Sequence, residues 1–312
     1  MQSANRSTGP AAAQSPAGSI YDLGYRHYEG PRRGRVWAMW SLFVESFRGV
    51  WGFGRPMSAK AAPFILAGLY ALPALFQLAF ASVIAQQISS GSETQLMTYR
   101  TYFGMFYFLV IFFCVAQAPE LVCRDQRYHV LPLYFTRSLS RVEYALARLG
   151  SLAAALFLLL MVPCVALFVG DILMQPDTFK AIGDELPKAL PALPANALIA
   201  AGLSALSLTV SSFSSRRAYS AIALVAYVLL AEAVPSAISA IGRNSDWTWT
   251  DKLFALTPVT SLIGASDWFF GQVLNPRKFT GSLTADAYVV VALMSVVVFT
   301  LILLLRYRRL PA

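Results

Sequence analysis

The chain has 312 residues and a formal net charge of +9 at pH 7, although only 13% of its residues are charged. Its mean hydropathy is +0.56, and a soluble domain of this size would carry about twice that fraction of charged residues. Apolar runs recur at the length that crosses a bilayer as a helix, without the period-two alternation of barrel strands. The composition therefore excludes a soluble globular protein and predicts an all-α membrane protein.

The excess of positive charge is typical of the basic cytoplasmic loops of a membrane protein, so we expect no nucleic acid partner. The three cysteines form no CxxC pair and no Cys/His cluster. A disulfide framework or a zinc site is therefore not expected, and we predict no metal and no cofactor.

The N-terminal region divides into two parts. Residues 1–19 are rich in Ala, Ser, Gly and Pro and lack an apolar core, which predicts a disordered tail and no signal peptide. Residues 20–60 are predicted to form a cytoplasmic segment. Within it, residues 34–55 are predicted to form an amphipathic helix that lies in the membrane interface. Glu45 and Arg48 lie opposite its apolar face, and the alternative is a first transmembrane span. The apolar face comprises Val36, Trp37, Trp40, Phe43, Val44, Phe47, Val50 and Trp51.

The remainder, 61–312, is predicted to be a membrane domain of six transmembrane helices. Small residues in the fourth span favour close helix packing. The spans are expected at about 62–86, 102–122, 144–170, 194–213, 218–241 and 286–305.

Three connections between the spans are distinctive. The loop at 171–193 is acidic, and the long connection at 243–285 is semi-apolar and too interrupted to span, which indicates short re-entrant or interfacial helices. Between the second and third spans lies a basic stretch, 119–148. Within it, Ser140 followed by Glu143 is a capping box, which predicts that the third helix starts just before Tyr144.

The distribution of basic residues predicts the topology. The N-terminal segment, the 123–148 loop, the 216–217 turn and the C-terminal tail together hold 18 of the 25 Lys and Arg residues. The positive-inside rule therefore places both termini in the cytoplasm. Arg216 and Arg217 are interpreted as a topology anchor, with a ligand site as the alternative.

Glu232 is the one acidic residue well inside a predicted span. Charged groups at that depth usually face a cavity or a partner. One interpretation is a contact in a translocation path, and the other is a hydrated or hydrogen-bonded residue beside the kink expected at Pro235.

No enzyme motif stands out. The sequence has no GxxxxGK[ST] P-loop, no HExxH and no GxSxG. We therefore expect that the chain is not an enzyme and that any ATP hydrolysis occurs on a partner.

The segment APELVCRDQRYHVLPLYFTRSLSRVEYALARL resembles the stretch that follows the second span in ABC-2 type transporter permeases, the membrane subunits of bacterial ATP-binding cassette transporters. It departs from that pattern at Leu139, where proline is common, and at Arg148, where lysine is usual. The matching positions are Pro119, Glu120, Arg124, Asp125, Leu131, Leu133, Tyr134, Ser138, Ser140, Arg141, Glu143 and Tyr144.

The resemblance implies a permease subunit of an exporter in the bacterial cytoplasmic (inner) membrane. Its expected partners are a separate ATP-binding cassette ATPase, a second permease copy or paralogue, and membrane lipid. The alternative is a non-transporting membrane anchor or assembly factor. The residues implied to couple to the ATPase are Glu120, Arg124, Asp125, Arg127, Tyr128, Arg137, Arg141 and Glu143.

Overall fold

The computed structural model describes residues 34–80, 83, 98–135, 139–173, 175, 177–243, 256–271 and 284–309, together with Gly30. All but Gly30 belong to one compact unit, Gly34–Ala312. The expected disordered tail at 1–19 lies outside the described residues.

Ten helices make up nearly all of the described part of the chain, in which there is no β-strand. They are α1 (Arg35–Val50), α2 (Met57–Ala79), α3 (Tyr99–Arg127), α4 (Leu131–Phe135), α5 (Arg141–Leu173), α6 (Thr178–Ala189), α7 (Ala192–Ser212), α8 (Arg217–Arg243), α9 (Pro258–Phe269) and α10 (Ala285–Arg309).

Six helical segments are long and apolar enough to cross a membrane, and each overlaps one predicted span. The predicted fold class, an all-α membrane protein with six transmembrane helices, is therefore confirmed, and the chain is a multi-pass membrane protein. The segments are Lys60–Ala79, Thr101–Arg127, Arg141–Leu173, Thr178–Ser212, Arg217–Ile238 and Asp286–Arg309.

Among the helices that extend beyond their predicted spans, α3 and α5 do so where polar residues at their ends have partners inside the bundle. Helix α3 continues past residue 122 to Arg127, and Asp125 in its last turn is paired with α5. Helix α5 continues past residue 170 to Leu173, and Asp171 accepts a hydrogen bond from the Tyr99 hydroxyl at 3.2 Å.

Helix α7 lies at the centre of the bundle, against α3, α5, α9 and α10. Its Ala, Ser and Gly residues permit this close packing, as the sequence predicts. A Cβ on Gly202 would lie only 2.8 Å from Leu262 of α9. Helices α8 and α10 are peripheral, and most of their apolar side chains are exposed and available to lipid.

Helix α1 forms where the amphipathic helix is predicted, and the later part of its predicted apolar face packs against the protein, where Val50 is buried and Phe43 and Phe47 are partly buried against the core. Its buried residues are Leu42, Ser46, Gly49 and Val50, whereas Trp37 and Trp40 of the predicted apolar face are 48% and 59% exposed. The polar Ser46 is buried because it has a partner on α5. The exposure of Trp37 and Trp40 agrees with a position at headgroup depth.

The acidic connection at 171–193 contains a helix, α6, which was predicted only as a loop. Its buried Ala181 and Glu185 share one face, and Phe179 on another is 94% exposed. Lys188 pairs with Glu185 at 2.6 Å across one helical turn. Such a pair stabilises the helix locally, whereas a count of charges shows only that the connection is acidic.

The connection at 243–285 contains α9, and residues 244–255 and 272–283 lie outside the described part. The Thr257 hydroxyl oxygen caps α9 by accepting a hydrogen bond from the Thr260 amide, and Pro258 occupies the first turn. A Cβ on Gly264 would lie 2.6 Å from the Tyr288 ring, so glycine permits α9 to pack tightly on α10. A short helix buried in this way agrees with the re-entrant interpretation.

The two ends of the bundle differ in charge. One end, here called the basic end, contains the last turn of α3, helix α4, the starts of α5 and α8 and the last turn of α10, which contact one another. The other, here called the acidic end, contains Asp171, α6 and the contact between Trp268 and Asp286.

Candidate functional site

A buried ion pair joins α3 to α5 at the basic end. The Arg148 guanidinium donates from Nη2 to Asp125 Oδ2 and from Nη1 to Ser46 Oγ of α1 at 2.8 Å. The Tyr144 hydroxyl donates to the same Asp125 oxygen at 2.6 Å. Asp125 and Arg148 are each only 9% exposed. Removing one partner of such a pair typically costs about 3–5 kcal/mol, because the other charge is left buried.

Glu120 forms a second polar connection at this end. Its Oε1 accepts a hydrogen bond from Arg55 Nη1 at 2.6 Å, and its Oε2 forms an ion pair with Arg217 Nη1 at 2.8 Å. One carboxylate therefore links α3 both to the segment after α1 and to the start of α8. The Arg217 side chain is 61% exposed, so solvent weakens that half of the link.

The start of α5 is fixed by the predicted capping box. The Ser140 amide donates to Glu143 Oε2 at 2.7 Å, and the Glu143 amide donates to Ser140 Oγ at 3.2 Å. Arg35 of α1 also pairs with Glu143 at 3.3 Å. Arg141 donates to the Arg308 carbonyl at 2.8 Å, which ties this start to α10.

The chain turns between α3 and α4, and the side chains at the end of α3 and in this turn are exposed. We use the name exposed turn for four of these residues: Arg124, Arg127, Tyr128 and His129. His129 has φ of +50°, a left-handed conformation that costs a non-glycine residue roughly 1–2 kcal/mol. Among the described residues, the Arg124 and Arg127 side chains form no ion pair.

Helix α4 packs back on α5 behind this turn. The rings of Tyr134 and Tyr144 lie 5.6 Å apart, and Phe135 lies edge-on to Tyr144. Burial, and then the nearby Asp125 charge, raise the pKa of the Tyr134 phenol, so Tyr134 stays neutral at physiological pH. A cleft of about 810 Å³ lies between α1, α3 and α4, and the Asp125–Arg148 pair forms part of its wall.

Comparison with known protein families identifies one match that covers most of the chain. Residues 63–310 match a family described as a protein of unknown function (DUF2705). The chain belongs to this family. No curated protein matches the chain.

Helix α1 lies before the part of the chain that matches DUF2705. Besides the exposed Arg35–Glu143 pair, two basic-end contacts nevertheless come from the residues that precede the match, namely Ser46 to Arg148 and Arg55 to Glu120. The region before the match is thus joined to the family domain by buried or half-buried polar contacts.

The structure separates the predicted coupling residues into two groups. Glu120, Asp125 and Glu143 form internal pairs, and Arg141 contacts α10. Arg124, Arg127 and Tyr128 point outward from the exposed turn, where Tyr128 is 66% exposed. Arg137 lies outside the described residues.

Sequence reasoning missed several partners at this site, namely Arg148, Tyr144, Ser46, Arg55 and Arg217. From the sequence, Arg148 is one basic residue of the loop and a departure from the permease pattern, with no indication that it pairs with Asp125. The available signal was that Tyr144 and Arg148 stand four residues apart and therefore share a face of α5, one turn from each other. Nothing in the sequence places Ser46 or Arg55 beside them.

Glu232 lies in the acidic half of the bundle, about 22 Å along α8 from Arg217. The Thr260 hydroxyl of α9 donates to Glu232 Oε2 at 3.1 Å. The other oxygen, Oε1, is buried and has no hydrogen-bond partner, and no cation pairs with Glu232 within the described ranges. Helix α8 continues through Pro235.

The contact of Glu232 with Thr260 agrees with the interpretation of a hydrogen-bonded residue near Pro235. The alternative role, in a translocation path, stays a prediction. Across the part of the chain that the structure describes, no group of three His, Cys, Asp or Glu residues is arranged to hold a metal ion.

Proposed function

We propose that the chain is the permease subunit of an ATP-binding cassette exporter in the bacterial cytoplasmic (inner) membrane. A separate ATPase subunit hydrolyses the ATP, and a second copy or a paralogue of this chain completes the translocation unit. The observation that carries the proposal is the exposed turn, which lies in the segment resembling ABC-2 permeases and is braced from behind by the Asp125–Arg148 pair.

The charge distribution supports a cytoplasmic basic end in this proposal. Arginines of α3, α5, α8 and α10 meet there, and positive residues accumulate on the cytoplasmic side of membrane proteins. Both termini would then be cytoplasmic, on the side where ATP is available to the partner.

In the proposed mechanism, the ion pairs of Asp125 and Glu120 connect the end of α3 to α5 and α8. When the ATPase closes, it pushes on the exposed turn and on Arg137. Because Asp125 is held by Arg148 and Tyr144 of α5, and Glu120 by Arg217 of α8, movement of the end of α3 is passed to both helices. Packed and hydrogen-bonded elements of this kind shift as units.

Charge reversal at the proposed contact tests the function. With the double variant Arg127→Glu and Arg137→Glu, we expect the affinity for the ATPase subunit to fall on the order of ten-fold or more, since the variant opposes charge complementarity across the interface. Co-purification and ATP hydrolysis in proteoliposomes measure this. The matched control is Arg309→Glu, an exposed arginine of the basic end in the last turn of α10, which should bind as the unchanged chain does.

Unchanged co-purification and transport in the double variant would contradict the coupling role. An ATPase that binds the unchanged chain without any ATP-dependent substrate flux would instead favour the membrane anchor or assembly factor. Glu232 is the proposed contact in the translocation path, and its test is given in the Discussion.

A further inference from the structure

A groove of about 760 Å³ lies at the basic end, between the exposed turn and the start of α8. It is distinct from the cleft beside the Asp125–Arg148 pair and has walls on a different side of α3. The proposed ATPase contact accounts for only one of its arginines, Arg127.

The groove is strongly cationic. Arg127, Arg216, Arg217 and His129 line it, and no carboxylate among the described residues does. Arg217 pairs with Glu120, but that carboxylate is shared with Arg55. Arg216 lies over the Tyr219 ring at 5.6 Å and has no anionic partner among the described residues. The groove therefore has unneutralised positive charge suited to an anion.

The backbone at the start of α8 adds hydrogen-bond donors. The first intrahelical bond runs from the Ser220 amide to the Arg216 carbonyl at 3.1 Å, so the amides of residues 217–219 precede the helical ladder. Ser214 Oγ accepts from the Arg216 amide at 3.2 Å and thereby fixes the turn. The unbonded amides and the helix dipole favour negative charge here.

The groove opens beside an exposed apolar surface of α8. Only 11% of the residues in the most apolar stretch of α8 are buried, which is the lowest fraction among the six candidate spans. Tyr219 and Ile222, just past the groove, are 59% and 65% exposed, as are Leu229 and Leu230 further along α8, at 63% and 61%. Ala218 and Ala221 form one wall of the groove, and their small side chains leave room for a lipid acyl chain beside α8.

We propose that this groove binds the phosphate headgroup of an anionic phospholipid, whose acyl chains lie along α8. Arg216 and Arg127 contact the phosphate, the α8 amides orient it, and Tyr219 marks headgroup depth. Basic pockets beside transmembrane helices on the cytoplasmic side are suited to such headgroups. The lipid is bound as a ligand, so this site does not depend on the ATPase or on transport.

The test is lipid binding by the full chain in neutral detergent, measured by native mass spectrometry with phosphatidylglycerol and with phosphatidylcholine. We expect tighter binding of phosphatidylglycerol, and Arg216→Gln should weaken it about five-fold, the contribution expected of one basic residue near a phosphate. Arg216→Lys should stay within about two-fold, since it keeps the charge. The control Arg309→Gln removes an equal charge from the same end, outside the groove, and should leave binding unchanged.

Thermal unfolding in phosphatidylcholine checks that Arg216→Gln is folded, and Arg127→Gln serves as a second groove variant should it not be. Equal binding of the two lipids, or equal loss in Arg309→Gln, would overturn the proposal. Displacement of the lipid by soluble glycerol phosphate at matching concentration would assign the groove to a small phosphate compound. Unchanged lipid binding by Arg216→Gln with weakened ATPase association would assign it to the protein partner.

Discussion

The carboxylates of the basic end and the carboxylate in the acidic half of α8 are held in different ways. Asp125, Glu120 and Glu143 each pair with at least one arginine. Among the described residues, Glu232 accepts a hydrogen bond only from the Thr260 hydroxyl, and its second oxygen is buried without a partner. A carboxylate that is paired with an arginine has a fixed arrangement, whereas one with an unsatisfied oxygen is available to a ligand.

This difference suggests a division of labour along the bundle. The basic end holds α1, α3, α5 and α8 together through charges, and in the proposed mechanism it transmits the movement of the ATPase. In the acidic half, where α9 contacts α8 through Thr260 and Glu232, one carboxylate oxygen is buried without a hydrogen-bond partner among the described residues, and a functional role is one explanation for such a group. Three substitutions test the comparison.

The largest effect is expected for Asp125→Asn. It leaves the Arg148 charge buried without a carboxylate, and we expect the free energy of unfolding to fall by about 3–5 kcal/mol. Thermal or denaturant unfolding in detergent measures this. Asp184→Asn, at an exposed position on α6, is the matched control and should change stability by less than about 0.5 kcal/mol.

The pair itself is isolated by a double-mutant cycle. Asp125→Leu combined with Arg148→Met removes both charges and should be much less destabilising than either single change. Additive losses in the double variant would show that the ion pair is not what holds α3 to α5.

An intermediate effect is expected for Glu120→Gln. It weakens two links at once, to Arg55 and to Arg217, but the Arg217 side chain is 61% exposed, so the total loss should be about 1 kcal/mol. The same unfolding measurement applies, and high salt should reduce the difference between variant and unchanged chain. A loss as large as that of Asp125→Asn would mean that the basic end has no single dominant pair.

The smallest effect on stability is expected for Glu232→Gln. The amide oxygen can still accept from Thr260, so the free energy of unfolding should change by less than about 0.5 kcal/mol. ATP-dependent transport by the reconstituted system should nevertheless fall, since the charge is lost where the proposed path lies. A large loss of stability with unchanged transport would assign Glu232 a structural role.

Much of the fold could be predicted from the sequence, since its determinants are local. The length of the apolar runs set six spans, because a bilayer core demands about 20 apolar residues per helix. The capping box of Ser140 and Glu143 marked the start of α5, since both partners lie within one turn. The basic character of one end followed from residue counts.

The helix boundaries and faces were less predictable. Asp125 and Asp171 resemble residues that end a span, yet both lie within helices because each has a partner on another helix. The face of α1 that packs on α5 includes Ser46, which accepts a hydrogen bond from Arg148. Apolar periodicity places this polar residue outside the core. Helix α6 forms within a stretch whose charges suggest only a loop.

The sequence by itself therefore determined the class of the protein, its number of spans and the segment of interest between the second and third of them. Only the tertiary structure decided which residues of that segment brace the bundle and which face outward. Asp125 and Arg148 are 23 residues apart and Arg55 and Glu120 are 65 apart, and such pairs depend on how whole helices pack. Local sequence patterns carry no information about that packing. The basic stretch predicted as one loop therefore contains both a buried ion pair, Asp125–Arg148, and the exposed turn.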